Sequence, residues 1–136
     1  MTGYSGTPLW KKLGLKPGAS AAVVDPPEGY HEFLLEGAPD VVWGEIRPDL
    51  ALVHLFVTDR AALDAALPSS LAAIRPDGRI WVSWPKKSAK VPTDLTEDRL
   101  RDAALPLGLV DIKVCAVDAT WSGLCFVIRK DLRPAT

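Results

Sequence analysis

Residues 50 to 58, "LALVHLFVT", are almost continuously apolar. A strand with one wet face alternates apolar and polar residues, so an unbroken run belongs to a strand covered on both faces, as in parallel sheets layered with helices. The next residues fit that setting. "DRAALDAALPSSLAAI" is rich in alanine and leucine and predicts a helix that Thr58 and Asp59 can cap, with Pro68 expected to kink or split it. "RPDG" then predicts a turn in which Gly78 can take positive φ, and "RIWVSW" predicts the next strand.

The rest of the chain continues the alternation. "TPLWKKLG" predicts a short helix with Thr7 as N-cap, Pro8 at its first position and Gly14 as its stop. "ASAAVVD" predicts a first strand ending at Asp25, and "EGYHEFLLEG" a helix whose Tyr30, Phe33 and Leu34 share one face. "DVVWGEI" predicts a strand over 41 to 46. Only "RPD" separates it from the strand at 50, whereas a parallel crossover normally takes about a dozen residues. "DLTEDRLRDAALPLG" predicts a helix with Asp94 and Glu97 as a capping box and Gly108 after its end. "LVDIKVCAVD" and "LCFVIRK" close as an antiparallel hairpin around "ATWSG". This order predicts an α/β fold: a three-layer, mainly parallel open sheet with a C-terminal antiparallel hairpin.

With 136 residues the chain has the size of one domain, with 1 to 18 as an N-terminal helix and lid segment and 19 to 130 as the sheet core. Sixteen basic against seventeen acidic residues leave a charge of -1, too little field to hold nucleic acid or an anionic membrane. No apolar run approaches the length of a membrane span, and "MTGYSGTP" lacks a signal core, so the expectation is a cytoplasmic monomer or homodimer. Cys115 and Cys125 lack the spacing of a structural zinc site and are expected to be reduced, packed thiols on neighbouring strands.

The succession "LGLKPGASAAVVD", "LALVHLFV", "IRPDGRIWVSW" and the terminal hairpin resembles the core of class I S-adenosylmethionine-dependent methyltransferases over roughly residues 13 to 130. "TGYSGTPLWKKLGLKPG", "WVSWPKK", "VPTDLTED" and "ALPLGLVDIKVCAVDATWSGL" resemble a family of small bacterial proteins known as a domain of unknown function. The first resemblance implies a Rossmann-like sheet and the cofactor S-adenosylmethionine. It also implies a glycine-rich loop after the first strand, where this chain has Asp25, Pro26, Pro27 and Glu28, and an acidic ribose-binding residue to which Glu45 is a shifted match. Two prolines remove two amide donors and add bulk. The stretch from 37 to 50 also has no room for the second helix and third strand the resemblance implies.

Ligands of open parallel sheets bind beyond the carboxyl ends of the strands. That edge should collect Glu28 and Tyr30 from the first loop, Thr58 and Asp59 from the next, then Trp84, Lys86, Lys87 and the turn bearing Trp121. Two ammonium groups beside an indole and helix N-termini suit a phosphate or carboxylate. "YSGT", ending in Thr7, is a candidate lid. His54, in mid-strand, reads as a satisfied core histidine, and Ser122 lacks the elbow of a nucleophile. The expectation is a binding module without a cofactor, for a small anionic molecule or a protein segment. An unusual methyltransferase using S-adenosylmethionine, or a structural subunit associating through its sheet edge near 41 to 46, is the alternative.

Overall fold

The computed structural model describes residues 7 to 133; residues 4 to 6 of the candidate lid lie outside them. The elements are α1 (Leu9–Leu13), β1 (Ser20–Val24), β2 (Val42–Gly44), β3 (Leu50–Phe56), α2 (Arg60–Ala73), β4 (Ile74–Pro85), α3 (Glu97–Ala104), β5 (Leu109–Ala116) and β6 (Trp121–Ile128), with a π-helical turn at Tyr30–Leu34. They build one six-stranded sheet in the order β2-β1-β3-β4-β6-β5. The first four strands are parallel, and β6 runs antiparallel between β4 and β5. β5 therefore points the same way as β4, and the hairpin turn lies at the carboxyl edge as anticipated.

Continuous apolarity in β3 and β4 has the expected cause: successive side chains enter two different cores. Val53, Leu55, Ile80, Val82 and Trp84 pack under Leu63 and Leu67 of α2 and Leu100 of α3. Leu52, Phe56 and Trp81 pack on the other face beneath Leu9 and Leu13 of α1 and Tyr30 of the π-helical turn. Trp81 is fully buried and donates its indole N–H to the Leu13 carbonyl at 3.0 Å, tying α1 to the sheet. No described helix is long and apolar enough to cross a membrane.

Several local expectations are corrected. β2 is shorter than the predicted 41 to 46 and is no neighbour of β3, because β1 lies between them. The short crossing is possible because β2 reaches only the level of Ala22, so residues 45 to 49 need not return along a whole strand. Arg47 braces the crossing, donating to the carbonyls of Val42, Glu45 and Ala21 at 2.9, 3.0 and 3.4 Å. The segment after β1 is a π-helical turn, so its buried residues, Tyr30 and Leu35, fall five apart, and Phe33 is left 78 % exposed instead of sharing their face.

Pro68 neither splits nor ends α2, which runs unbroken from Arg60 to Ala73, held on the sheet by Leu63 and Leu67. "RPDG" is not a free turn but a bulge inside β4: Leu50 pairs with Ile74 and Leu52 with Arg79. Gly78 does not adopt positive φ. Its hydrogen is needed for space, since a Cβ there would lie 2.8 Å from Ile74 Cβ and 3.0 Å from the Leu50 carbonyl oxygen. Pro8 is the N-cap of α1, with no side-chain hydrogen bond from Thr7, while Gly14 ends it at φ 83 as expected. Thr96, not Asp94, caps α3 by accepting from Arg99 N, and Asp94 instead accepts from Arg60 N at 2.9 Å. Cys115 and Cys125 are free thiols on neighbouring strands, two positions out of register, and burial pushes Cys125 up to about 12.

Candidate functional site

Asp59, directly after Thr58 at the end of β3, caps α2 by accepting from Ala62 N at 2.8 Å. Pro85 ends β4, and Lys86 N donates to the Thr120 carbonyl at 2.8 Å, fastening the loop after β4 to the hairpin turn. Asp118 holds that turn by accepting from Thr120 N and Trp121 N, both at 2.8 Å. These bonds tie the edge together where β4 and the hairpin meet.

The expected site residues do not form one cluster. Trp84 faces Ser122 across β4 and β6, and Pro85 faces Trp121, so the two tryptophans occupy opposite faces of the sheet. Trp121 packs edge-on against Phe56, with ring centroids 5.0 Å apart, on the α1 face. Tyr30 is only 2 % exposed on that face and gives no surface for a ligand. Its hydroxyl bonds His54 Nδ1 at 2.8 Å, and His54 Nε2 bonds Ser83 Oγ at 2.7 Å. Burial lowers His54 to about 3 and raises the Tyr30 phenol above its ordinary range, so the triad is neutral and complete, the satisfied core histidine expected from the sequence. Glu28 and Thr7 are exposed, and Thr58 and Lys86 are half-buried, but none of these four lines the hollow that Trp84 and Lys87 share.

That hollow, of about 490 Å³, lies between the end of β4 and the start of α3. Trp84, Lys87, Asp94, Leu95, Thr96 and Arg99 are among the residues that line it. Its charges are unequally committed. Asp94 receives the amide of Arg60, and Glu97 pairs with Arg101 at 3.4 Å. Lys87 and Arg99 have no hydrogen bond or ion pair from their side chains among the described residues. Trp84 is 7 % exposed and its indole N–H meets no acceptor among the described residues. Among the described residues every buried side-chain nitrogen or oxygen does have a partner, so this N–H retains access to solvent. An ammonium and a guanidinium, both unengaged among the described residues, thus line one hollow with an indole ring. Of the residues lining this hollow, the sequence reading named Trp84 and Lys87 and did not name Thr96 or Arg99. The signal was present in "TEDR", a threonine followed by two first-turn acids.

The fold carries an expectation of S-adenosylmethionine beyond β1, and the residues present there do not fit it. Pro26 and Pro27 offer no amides, and Asp25 turns the chain at φ 53. Gly29, the one glycine of the segment, is covered by the chain itself: a Cβ on it would meet the Phe33 ring at 2.6 Å. Among the described residues no group of three or more histidine, cysteine, aspartate and glutamate side chains could hold a metal ion.

Comparison with solved structures identifies the fold class as that of S-adenosylmethionine-dependent methyltransferases. A protein from Sulfolobus solfataricus assigned as a type 11 methyltransferase superposes with a TM-score of 0.64 at 14% identity, covering 93% of each chain. A TehB-like S-adenosylmethionine-dependent methyltransferase from Corynebacterium glutamicum gives 0.54 at 14% identity, covering 88% of this chain and 85% of that one. DhpI, solved as its SAH complex, gives 0.59 at 11% identity over 90% and 83%. At such identities the likeness is one of fold. No family model matches the chain, and no curated protein matches it.

Proposed function

We propose that this chain is a binding module on a methyltransferase-like fold, holding a small anion with an apolar body in the hollow between β4 and α3. One observation carries the reading: Lys87 and Arg99 share that hollow with Trp84 and have no side-chain partners among the described residues, while Asp94 accepts from the Arg60 amide and Glu97 pairs with Arg101. The ligand's phosphate or carboxylate would lie between Lys87 and Arg99, each giving it a charge-assisted contact. Its apolar body would rest on Trp84 and Leu95. The reading needs no methyl transfer. A methyltransferase reading draws on the fold alone, and the proline-filled segment after β1 speaks against it.

Calorimetric titration with phenyl phosphate tests the proposal. Lys87→Ala combined with Arg99→Ala should weaken binding by about tenfold or more, because charge-assisted contacts to both sides of the anion are lost. The melting temperature should hold, since neither side chain bonds within the described fold. Equal affinity in wild type and double variant overturns the reading.

A further inference from the structure

A second hollow, of about 470 Å³, opens at the opposite edge of the sheet, where the strands begin. Its walls come from the "GLKPGA" segment between α1 and β1, from Ala51 and Leu52 of β3, and from Arg75, Asp77 and Arg79 of the β4 bulge. The bulge builds it: looping out residues 75 to 78 brings two arginines to face the backbone of Gly14 to Ala19. Arg79 is half-buried, and its guanidinium has no hydrogen bond or ion pair among the described residues. It lies so close to Gly14 that a Cβ there would be 3.0 Å from Arg79 Nη1. Arg75 pairs with Asp77 at 3.4 Å, and Lys16 is exposed at the rim. Three cations therefore surround the hollow against one carboxylate, itself shared with Arg75.

Because no described buried side-chain nitrogen lacks a partner, the unpaired guanidinium of Arg79 stays open to solvent and is free to take an anion. No aromatic side chain lines this hollow, so it offers no platform on which a ring could stack. Glycine and alanine leave the backbone bare, which suits a compact, densely charged group.

We infer that the amino edge is an anion site for a compact phosphorylated molecule without an aromatic ring, held bidentately by Arg79 and flanked by Arg75 and Lys16. Arginine's planar fork matches two phosphate oxygens, whereas lysine contributes a point charge. The site is independent of the hollow at the carboxyl edge: the two share no residue.

The test is an amide and arginine side-chain NMR titration of the full chain with inorganic pyrophosphate, with sodium chloride added to matched ionic strength as the control. Saturable shifts at Leu15, Lys16, Gly18, Ala19 and the Arg79 Nε–H are expected, without shifts at Thr96 to Arg99. Arg79→Gln should weaken pyrophosphate binding by about tenfold or more and leave phenyl phosphate binding at the other edge unchanged. Arg79→Lys should recover only part of it. Shifts confined to the carboxyl edge, shifts reproduced by chloride alone, or equal pyrophosphate affinity in wild type and Arg79→Gln would each overturn the inference. The wild-type titration decides even if the variant folds poorly.

Discussion

Acid should weaken this fold through one buried residue. His54 is inaccessible to solvent, and its folded value lies near 3 against an ordinary 6.5. The unfolded chain therefore takes up the proton first, so the full stability is present above 6.5 and is lost progressively as pH falls toward 3. Each pH unit inside that window costs about 1.4 kcal/mol, and going from about pH 7 to about pH 5 costs about 2 kcal/mol from this residue alone. The groups facing the ring, Tyr30 and Ser83, are neutral and cannot offset an imidazolium. Other carboxylates also respond to acid, so the comparison must be internal. The triple variant Tyr30→Phe, His54→Leu, Ser83→Ala removes the whole network and leaves no orphaned hydroxyl, a change that can be nearly neutral around pH 7. Urea midpoints at both pH values give the two differences. The wild type should lose about 2 kcal/mol more than the triple variant over this interval. Parallel losses would mean that His54 is not held neutral, and the physical account of this core would fail.

Removing only the ring should be far worse: His54→Leu strands two buried hydroxyls and should cost about 2 to 6 kcal/mol by chemical denaturation. Gly78→Ala places a methyl against Ile74 and the Leu50 carbonyl and should cost about 1 to 3 kcal/mol, read in the same assay; a neutral result would refute the close approach inside the β4 bulge. Phe33→Ser should change stability by less than about 0.5 kcal/mol, because the ring lies largely in water. Cys125 should react with a thiol reagent far more slowly than Cys115 in the native protein, since it is buried and its thiol is pushed up to about 12.

The fold class was legible because it rests on local pattern. The apolar run of β3 suits a strand covered twice, and the short link "ATWSG" required an antiparallel hairpin, although Trp121 to Gly123, expected in the turn, belong to β6. His54 was recognisable as a core residue from its place within that run. Other features depend on register between distant segments, which no local pattern carries. β2 looked too close to β3 to lie parallel to it, and the answer was that β1 separates them. "RPDG" looked like a turn because its four residues suit one, yet pairing with β3 continues on both sides of it. The site was half legible for the same reason. A strand ending in Trp84, Pro85, Lys86 and Lys87 pointed to the carboxyl edge, but alternation across the sheet put Trp84 and Trp121 on opposite faces. Arg99 joins the hollow only because the start of α3 comes beside the end of β4.

One NMR experiment on the full chain separates an anion hollow beside Trp84 from an S-adenosylmethionine site beyond β1. Phenyl phosphate and S-adenosylhomocysteine are titrated separately to about 1 mM. Phenyl phosphate should give saturable shifts of the Trp84 indole N–H and the amides of Lys87 and Thr96 to Arg99, and S-adenosylhomocysteine no response at Val24, Asp25, Glu28 or Gly29. Saturable shifts at those four residues with S-adenosylhomocysteine, or a silent Trp84 indole with phenyl phosphate, would contradict this reading.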